Sequence, residues 1–199
     1  MAETVTLTLA RRPVRITVSD PELFAILVEK SEGFVIDEVE KPWMSVEILG
    51  RRPKSVAESK VLVHRQGVDR FAVTGPTSTG ELVIDRSGHR AHARVIDPIA
   101  MFQFLYLCLS MTLPREGVLL FHADTIEWNG SAFAFMGQSG TGKTTTTNQM
   151  LLRTNATRLA EDRTIVIVRG TSSPLVAAMP RWIKNGPLPT SPIEVPLAG

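Results

Sequence analysis

Between residues 137 and 144 the chain reads Gly137-Gln138-Ser139-Gly140-Thr141-Gly142-Lys143-Thr144, which fits the phosphate-binding (Walker A) loop pattern without deviation. Such a loop must turn several backbone N–H groups toward phosphate oxygens. Glycines permit the dihedral angles and the close approach that side chains would block. Its flanks agree, because an apolar strand is expected at Ser131 to Met136 and a helix from about Lys143 to Arg153, whose N-terminal donors and dipole favour an anion. Lys143 is placed to reach β- and γ-phosphates, the Thr144 hydroxyl to ligate Mg²⁺, and Thr145 to bond an α-phosphate oxygen. ATP and Mg²⁺ are the expected ligands, with the choice between ATP and GTP open.

The rest of the chain falls into two halves. Period-two alternation recurs at Thr4 to Leu9, Val14 to Ser19, Met44 to Leu49, Lys60 to His64, Arg70 to Thr74 and Glu81 to Asp85, which predicts a β-rich domain over residues 1–97. One helix interrupts it from Pro21 to about Lys30, with Ser19 or Asp20 as N-cap and Pro21 at the first helical position. Asp97-Pro98 marks a boundary, followed by a helix to about Leu113 that is apolar nearly all round and so expected inside the protein. Beyond Pro114, residues 98–199 read as the nucleotide-binding domain: strand Val118 to Ile126, the turn Trp128-Asn129-Gly130, the loop strand, the loop and helix, then strands at Thr157 to Ala160, Thr164 to Val168 and Leu175 to Met179. Asn129-Gly130 is a strong hairpin signal, since a tight turn needs positive φ at both central positions.

Two further features carry chemistry. Glu161 and Asp162 end the first strand after the loop helix, where a carboxylate can stand next to Thr144. One of the pair could hold Mg²⁺ and the other accept the proton of an incoming hydroxyl. His122, in Leu119-Leu120-Phe121-His122-Ala123-Asp124, reads by itself as a packed, hydrogen-bonded strand residue.

Taken in order, Phe121-His122-Ala123, the Asn129-Gly130 hairpin, the loop Gly137 to Thr144 and Arg158-Leu159-Ala160-Glu161-Asp162 resemble the HPr kinase/phosphorylase-like proteins, which are related to phosphoenolpyruvate carboxykinase. The resemblance covers roughly residues 100 to 170. It implies an α/β domain of that type and transfer of the ATP γ-phosphate to a hydroxyl. By similarity, His122 falls on the active-site histidine, Lys143 on the loop lysine, Thr144 on the Mg²⁺-binding hydroxyl, Glu161 on the proton acceptor and Asp162 on the second acidic residue, a metal ligand. Glu161 is one methylene longer than the aspartate of that family. The glycine-rich signature that follows the acidic pair is reduced to a faint echo at Ile193-Glu194-Val195. The C-terminal Pro196-Leu197-Ala198-Gly199 falls inside what reads as the start of a further strand, so the catalytic domain is expected to be truncated.

Composition narrows the partners. With 22 basic and 20 acidic residues the net charge is only +2, against a polyanion binder. The basic run Arg51-Arg52-Pro53-Lys54 lacks interleaved aromatics and reads as a solvated turn. No nucleic acid and no membrane are expected: Ile99 to Leu113 is too short to span a bilayer, and the alternating N-terminus lacks the features of an export signal. Cys108 is the one cysteine, and a reducing cytoplasm is the expected compartment. His89 and His92 lie on opposite faces of an alternating segment and do not suggest a metal site. Three functions remain in view: a phosphotransferase acting on a protein serine or small-molecule hydroxyl, a nucleotide-binding accessory protein, and a simple ATPase. Homo-oligomerisation is left open.

Overall fold

In the computed structural model, residues 1–50, 61–168, 170, 172–180, 182 and 192–198 are described. The basic run at residues 51–54 lies outside them. The fold is mixed α/β, with three α-helices, one eight-stranded mixed sheet and two small antiparallel sheets among the described residues. The chain forms two compact units. The first comprises Met1–Thr8, Arg12–Ser31 and Val35–Thr112, and the second Leu9–Arg11, Glu32–Phe34 and Leu113–Gly199.

The first unit is built on the large sheet. Its strands are β1 (Glu3–Leu9), β2 (Arg12–Val18), β3 (Val35–Ile36), β4 (Met44–Gly50), β5 (Leu62–Arg65), β6 (Arg70–Thr74), β7 (Ser78–Val83) and β8 (His89–Val95). They lie in the order β3-β1-β2-β4-β8-β7-β6-β5. The parallel trio β2, β4 and β8 forms its middle and an antiparallel meander its far side. Along β8 the residues alternate buried and exposed, so His89 is buried and His92 faces solvent, as strand geometry requires.

Helix α1 (Pro21–Lys30) is capped by Asp20, whose side chain accepts from Glu22 N and Leu23 N, and it buries Leu23 and Leu27 one turn apart. Helix α2 (Pro98–Thr112) is held at its start by Asp97, which accepts from Ala100 N at 2.7 Å. Its apolar residues are buried nearly all round, against β7, β8 and α1. This helix, expected to open the nucleotide-binding domain, therefore belongs to the first unit. A 3₁₀ turn, Leu113–Glu116, follows it. Cys108 is buried within α2, and burial pushes its thiol pKa well above the ordinary value, leaving it unreactive. Among the described residues no helix is long and apolar enough to cross a membrane.

The second unit departs from expectation where it matters most. The strand expected over Val118 to Ile126 is broken at His122 into β9 (Val118–Phe121) and β10 (Ala123–Trp128), and the two halves lie in different sheets. Strand β11 (Ser131–Met136) pairs antiparallel with β10 through the expected hairpin, with φ of 51° at Asn129 and 78° at Gly130. Helix α3 (Lys143–Arg153) follows the loop and packs on β10 and β11. Then β12 (Thr157–Ala160) adds antiparallel to the other edge of β10, giving the sheet β11-β10-β12.

Residues 161–163 carry the chain out of that sheet into β13 (Thr164–Ile167), which pairs antiparallel with β9. Strands β14 (Leu175–Ala177) and β15 (Glu194–Pro196) complete the sheet β15-β14-β13-β9. The polypeptide thus passes between the two small sheets twice, at His122 and at residues 161–163. Buried hydroxyls join the two passages: Thr164 Oγ1 donates to Ala123 O at 3.0 Å and lies 2.7 Å from Thr125 Oγ1.

Candidate functional site

The glycine loop closes on itself. Thr141 donates to Gln138 O through both its backbone N–H, at 3.3 Å, and its hydroxyl, at 2.8 Å. Gly137 is required there, because a Cβ would stand 2.8 Å from Thr141 Oγ1. Gly142 caps α3 with φ of 89°, and among the described residues the helix has no side-chain cap. The first helical bond runs from Thr146 N to Gly142 O, at 2.8 Å. The amides of Lys143, Thr144 and Thr145 consequently lack intrahelical acceptors and form an anion-binding end. Lys143 Nζ donates to Gly137 O at 2.7 Å and to Gln138 O at 3.1 Å, folding its ammonium over the loop.

Opposite α3 stands Asp124. Only 1% of this residue is exposed, and both carboxylate oxygens are occupied. Thr144 Oγ1 donates to Oδ2 at 2.7 Å, and the backbone N–H of Asp162 donates to Oδ1 at 2.9 Å. One side chain thereby joins the loop helix to the turn that carries the acidic pair. The acidic pair was expected to stand next to Thr144, but β10 lies between the loop strand β11 and β12. Asp124, on the intervening strand, takes the contact with Thr144 that was expected of Glu161 or Asp162.

The acidic pair divides. Asp162 has φ of 69°, a left-handed conformation that aspartate tolerates better than most residues. Its Oδ1 lies 3.2 Å from His122 Nδ1, and its Oδ2 is 3.2 Å from Arg163 Nη1. Arg163 Nη1 also lies 2.5 Å from His122 Nδ1. A guanidinium can only donate, so Nδ1 accepts and the imidazole proton is assigned to Nε2. The short approach of His122 to Asp162 is then proximity around a shared arginine.

Glu161 is instead buried against Arg158, with Oε2 3.2 Å from Nη1 and only 3% of its side chain and 8% of the arginine's exposed. Burial lowers the pKa of the Arg158 guanidinium from its ordinary value, while the Asp124 carboxylate acts in the opposite direction.

His122, Asp124 and Asp162 line one cleft of about 420 Å³ together with Ser139, Gly140, Gly142, Lys143, Thr144 and Thr145. That volume lies within the range of small-ligand sites. Glu161, expected as proton acceptor, is not among the lining residues, and Gly137, Gln138 and Thr141 brace the loop from behind. None of Trp43, Trp128 and Trp182 lines it.

No protein-family model, curated protein or solved structure matches the chain. Function is therefore argued from the cleft itself. Its donors suit a polyphosphate: uncapped helix amides, an ammonium and exposed loop backbone on one wall. Its acceptors suit a hard cation, which takes oxygen ligands such as carboxylates, hydroxyls and phosphates. Among the described residues no group of three or more His, Cys, Asp or Glu side chains is arranged to hold a metal by itself, and Mg²⁺ bound with phosphates needs only one or two carboxylates.

Proposed function

We propose that the second unit binds ATP with Mg²⁺ in this cleft and transfers the γ-phosphoryl group to a hydroxyl, as a domain of the HPr kinase/phosphorylase type. The observation that carries the reading is the meeting of two walls: the open N-terminus of α3 with Lys143 and Thr144 on one side, and His122 and Asp162 on the other. A loop that only held nucleotide would need the first wall. The second brings a carboxylate and an imidazole to where a transferred group would sit.

In this reading Lys143 exchanges its bonds to Gly137 O and Gln138 O for phosphate oxygens, and the amides of Lys143, Thr144 and Thr145 neutralise the remaining charge. Thr144 and a carboxylate of the cleft would hold Mg²⁺, which would supply neutralisation of phosphate charge. Asp162 accepts the proton of the incoming hydroxyl as its oxygen bonds to the γ-phosphorus and the bond to the ADP oxygen breaks. His122, protonated at Nε2, donates to a phosphoryl oxygen. Arg163 fixes that tautomer. The acceptor is a protein serine or a small alcohol.

A second reading, nucleotide binding without transfer, draws on the burial of Glu161 against Arg158, which takes the family's expected base out of the cleft. Incubation with [γ-³²P]ATP and candidate acceptors separates the readings. Label on a serine peptide or polyol is the expected result, and Asp162→Asn should suppress it. Free phosphate would indicate hydrolysis, while bound but intact ATP would establish the accessory role and refute transfer.

A further inference from the structure

The reading above leaves open which carboxylate serves the metal. Asp124 is the most buried acidic side chain beside Thr144, and both groups bonded to it are neutral donors, a hydroxyl and a peptide N–H. Among the described residues no cationic side chain forms an ion pair with it. The arginine whose field it shares, Arg158, is engaged by Glu161. Asp162 differs: its carboxylate already contacts Arg163 and stands beside His122. Asp124 thus has a cation in its field but none in contact, and a carboxylate so buried gains from a cation bound directly to it.

The hydrogen bond to Thr144 has a direction that matters. Thr144 Oγ1 gives its proton to Asp124, which leaves its lone pairs available for a cation. The other carboxylate oxygen fixes the peptide N–H of Asp162, so the group that steadies the metal-binding hydroxyl also holds the turn presenting the proton acceptor.

We propose that Asp124, and not Asp162, is the carboxylate that completes the Mg²⁺ site with Thr144, directly or through a water, and that it ties metal loading to the placement of Asp162. This rests on the nucleotide-binding reading and extends it. It divides the labour between two aspartates, one serving the cation and the other placed to take a proton. The sequence places that division within Glu161 and Asp162 and gives no part in it to Asp124, which precedes the loop.

The test is the Mg²⁺ concentration needed for half-maximal binding of a fluorescent ATP analogue, with Mn²⁺ binding followed in parallel by electron paramagnetic resonance. Asp124→Asn should raise the Mg²⁺ requirement about tenfold or more, the size typical for loss of a group that holds a metal ligand. Asp162→Asn should shift it by less, under about threefold. Thr144→Val should act on the same step, so its effect and that of Asp124→Asn should combine less than additively. Should Asp124→Asn not fold, Asp124→Glu replaces it. That variant keeps the charge but displaces it, and should again exceed Asp162→Asn. An Asp162→Asn shift equal to or larger than that of the position-124 variant, or additive effects at positions 124 and 144, would overturn the assignment. If the parent protein bound the analogue with no dependence on Mg²⁺, this proposal would fall while nucleotide binding stood; no binding at all would remove both.

Discussion

Replacing Glu161 with glutamine separates a structural carboxylate from a reacting one. The Glu161–Arg158 pair is almost wholly out of solvent, and breaking a buried pair by neutralising one partner commonly costs about 3–5 kcal/mol. Two features reduce that here. The glutamine amide fills the same space and keeps an oxygen facing the guanidinium, and the Asp124 carboxylate continues to favour the charged arginine. A loss of about 2–3 kcal/mol is therefore expected, within the range for disrupting a buried polar network. For a protein of this size that corresponds to a fall in Tm of about 4–12 °C. Because the chain forms two units, hydrogen exchange at the β10 and β12 amides is the better measure, reporting on the second unit itself. Exchange there should accelerate about 30- to 150-fold if it proceeds through unfolding of that unit, by the same free energy. At temperatures where the variant is folded, the proposed phosphoryl transfer should remain within a few-fold of that of the parent. Unaltered exchange together with abolished transfer would refute the argument and return Glu161 to the reacting groups.

Two other substitutions have definite outcomes, one in the cleft and one in the first unit. Lys143→Ala removes an ammonium whose attraction to a phosphate charge at 4 Å is about 4 kcal/mol at an effective dielectric of 20, offset by the two carbonyl bonds it relinquishes on binding, at about 1 kcal/mol each. Affinity for Mg-ATP should fall by about 30- to 100-fold in calorimetry, and a change under about threefold would contradict a phosphate-binding lysine. In the turn after β7, the Ser87 backbone N–H and then its hydroxyl hold the Asp85 pKa below the ordinary carboxylate value. Its contribution to stability is present above the unfolded-state pKa and is lost as pH falls through the lower folded-state value. An NMR titration should show that value rising in Ser87→Ala, which loses the hydroxyl but keeps the peptide donor.

The parts legible in the sequence are those whose signals are local. Asn129-Gly130 dictates a turn with positive φ at both residues, and the hairpin follows. Gly142-Lys143 starts a helix where a phosphate loop needs one. Asp20-Pro21 and Asp97-Pro98 each open a helix at the expected residue. What escaped depends on pairing between distant segments. Nothing near His122 announces a break, because no glycine or proline interrupts Val118 to Ile126; the break arises because β9 pairs with β13 while β10 pairs with β11 and β12. Asp124 was passed over for the same reason. Its importance comes from β12 docking on the far side of β10, a register that no short-range pattern encodes. The alternation of His89–Val95 was visible, but its place beside β4 in the middle of the large sheet again depends on long-range partners.

The left-handed backbone at Asp162 limits which residues can replace it. Only glycine and asparagine share aspartate's tolerance for that conformation, so a saturation library at this position should yield few well-folded members beyond those three. Both permitted replacements discard the carboxylate while sparing the turn. If Asp162 is the proton acceptor proposed above, inactivation without unfolding is the easiest path of drift at position 162, through asparagine or glycine there above an intact glycine loop.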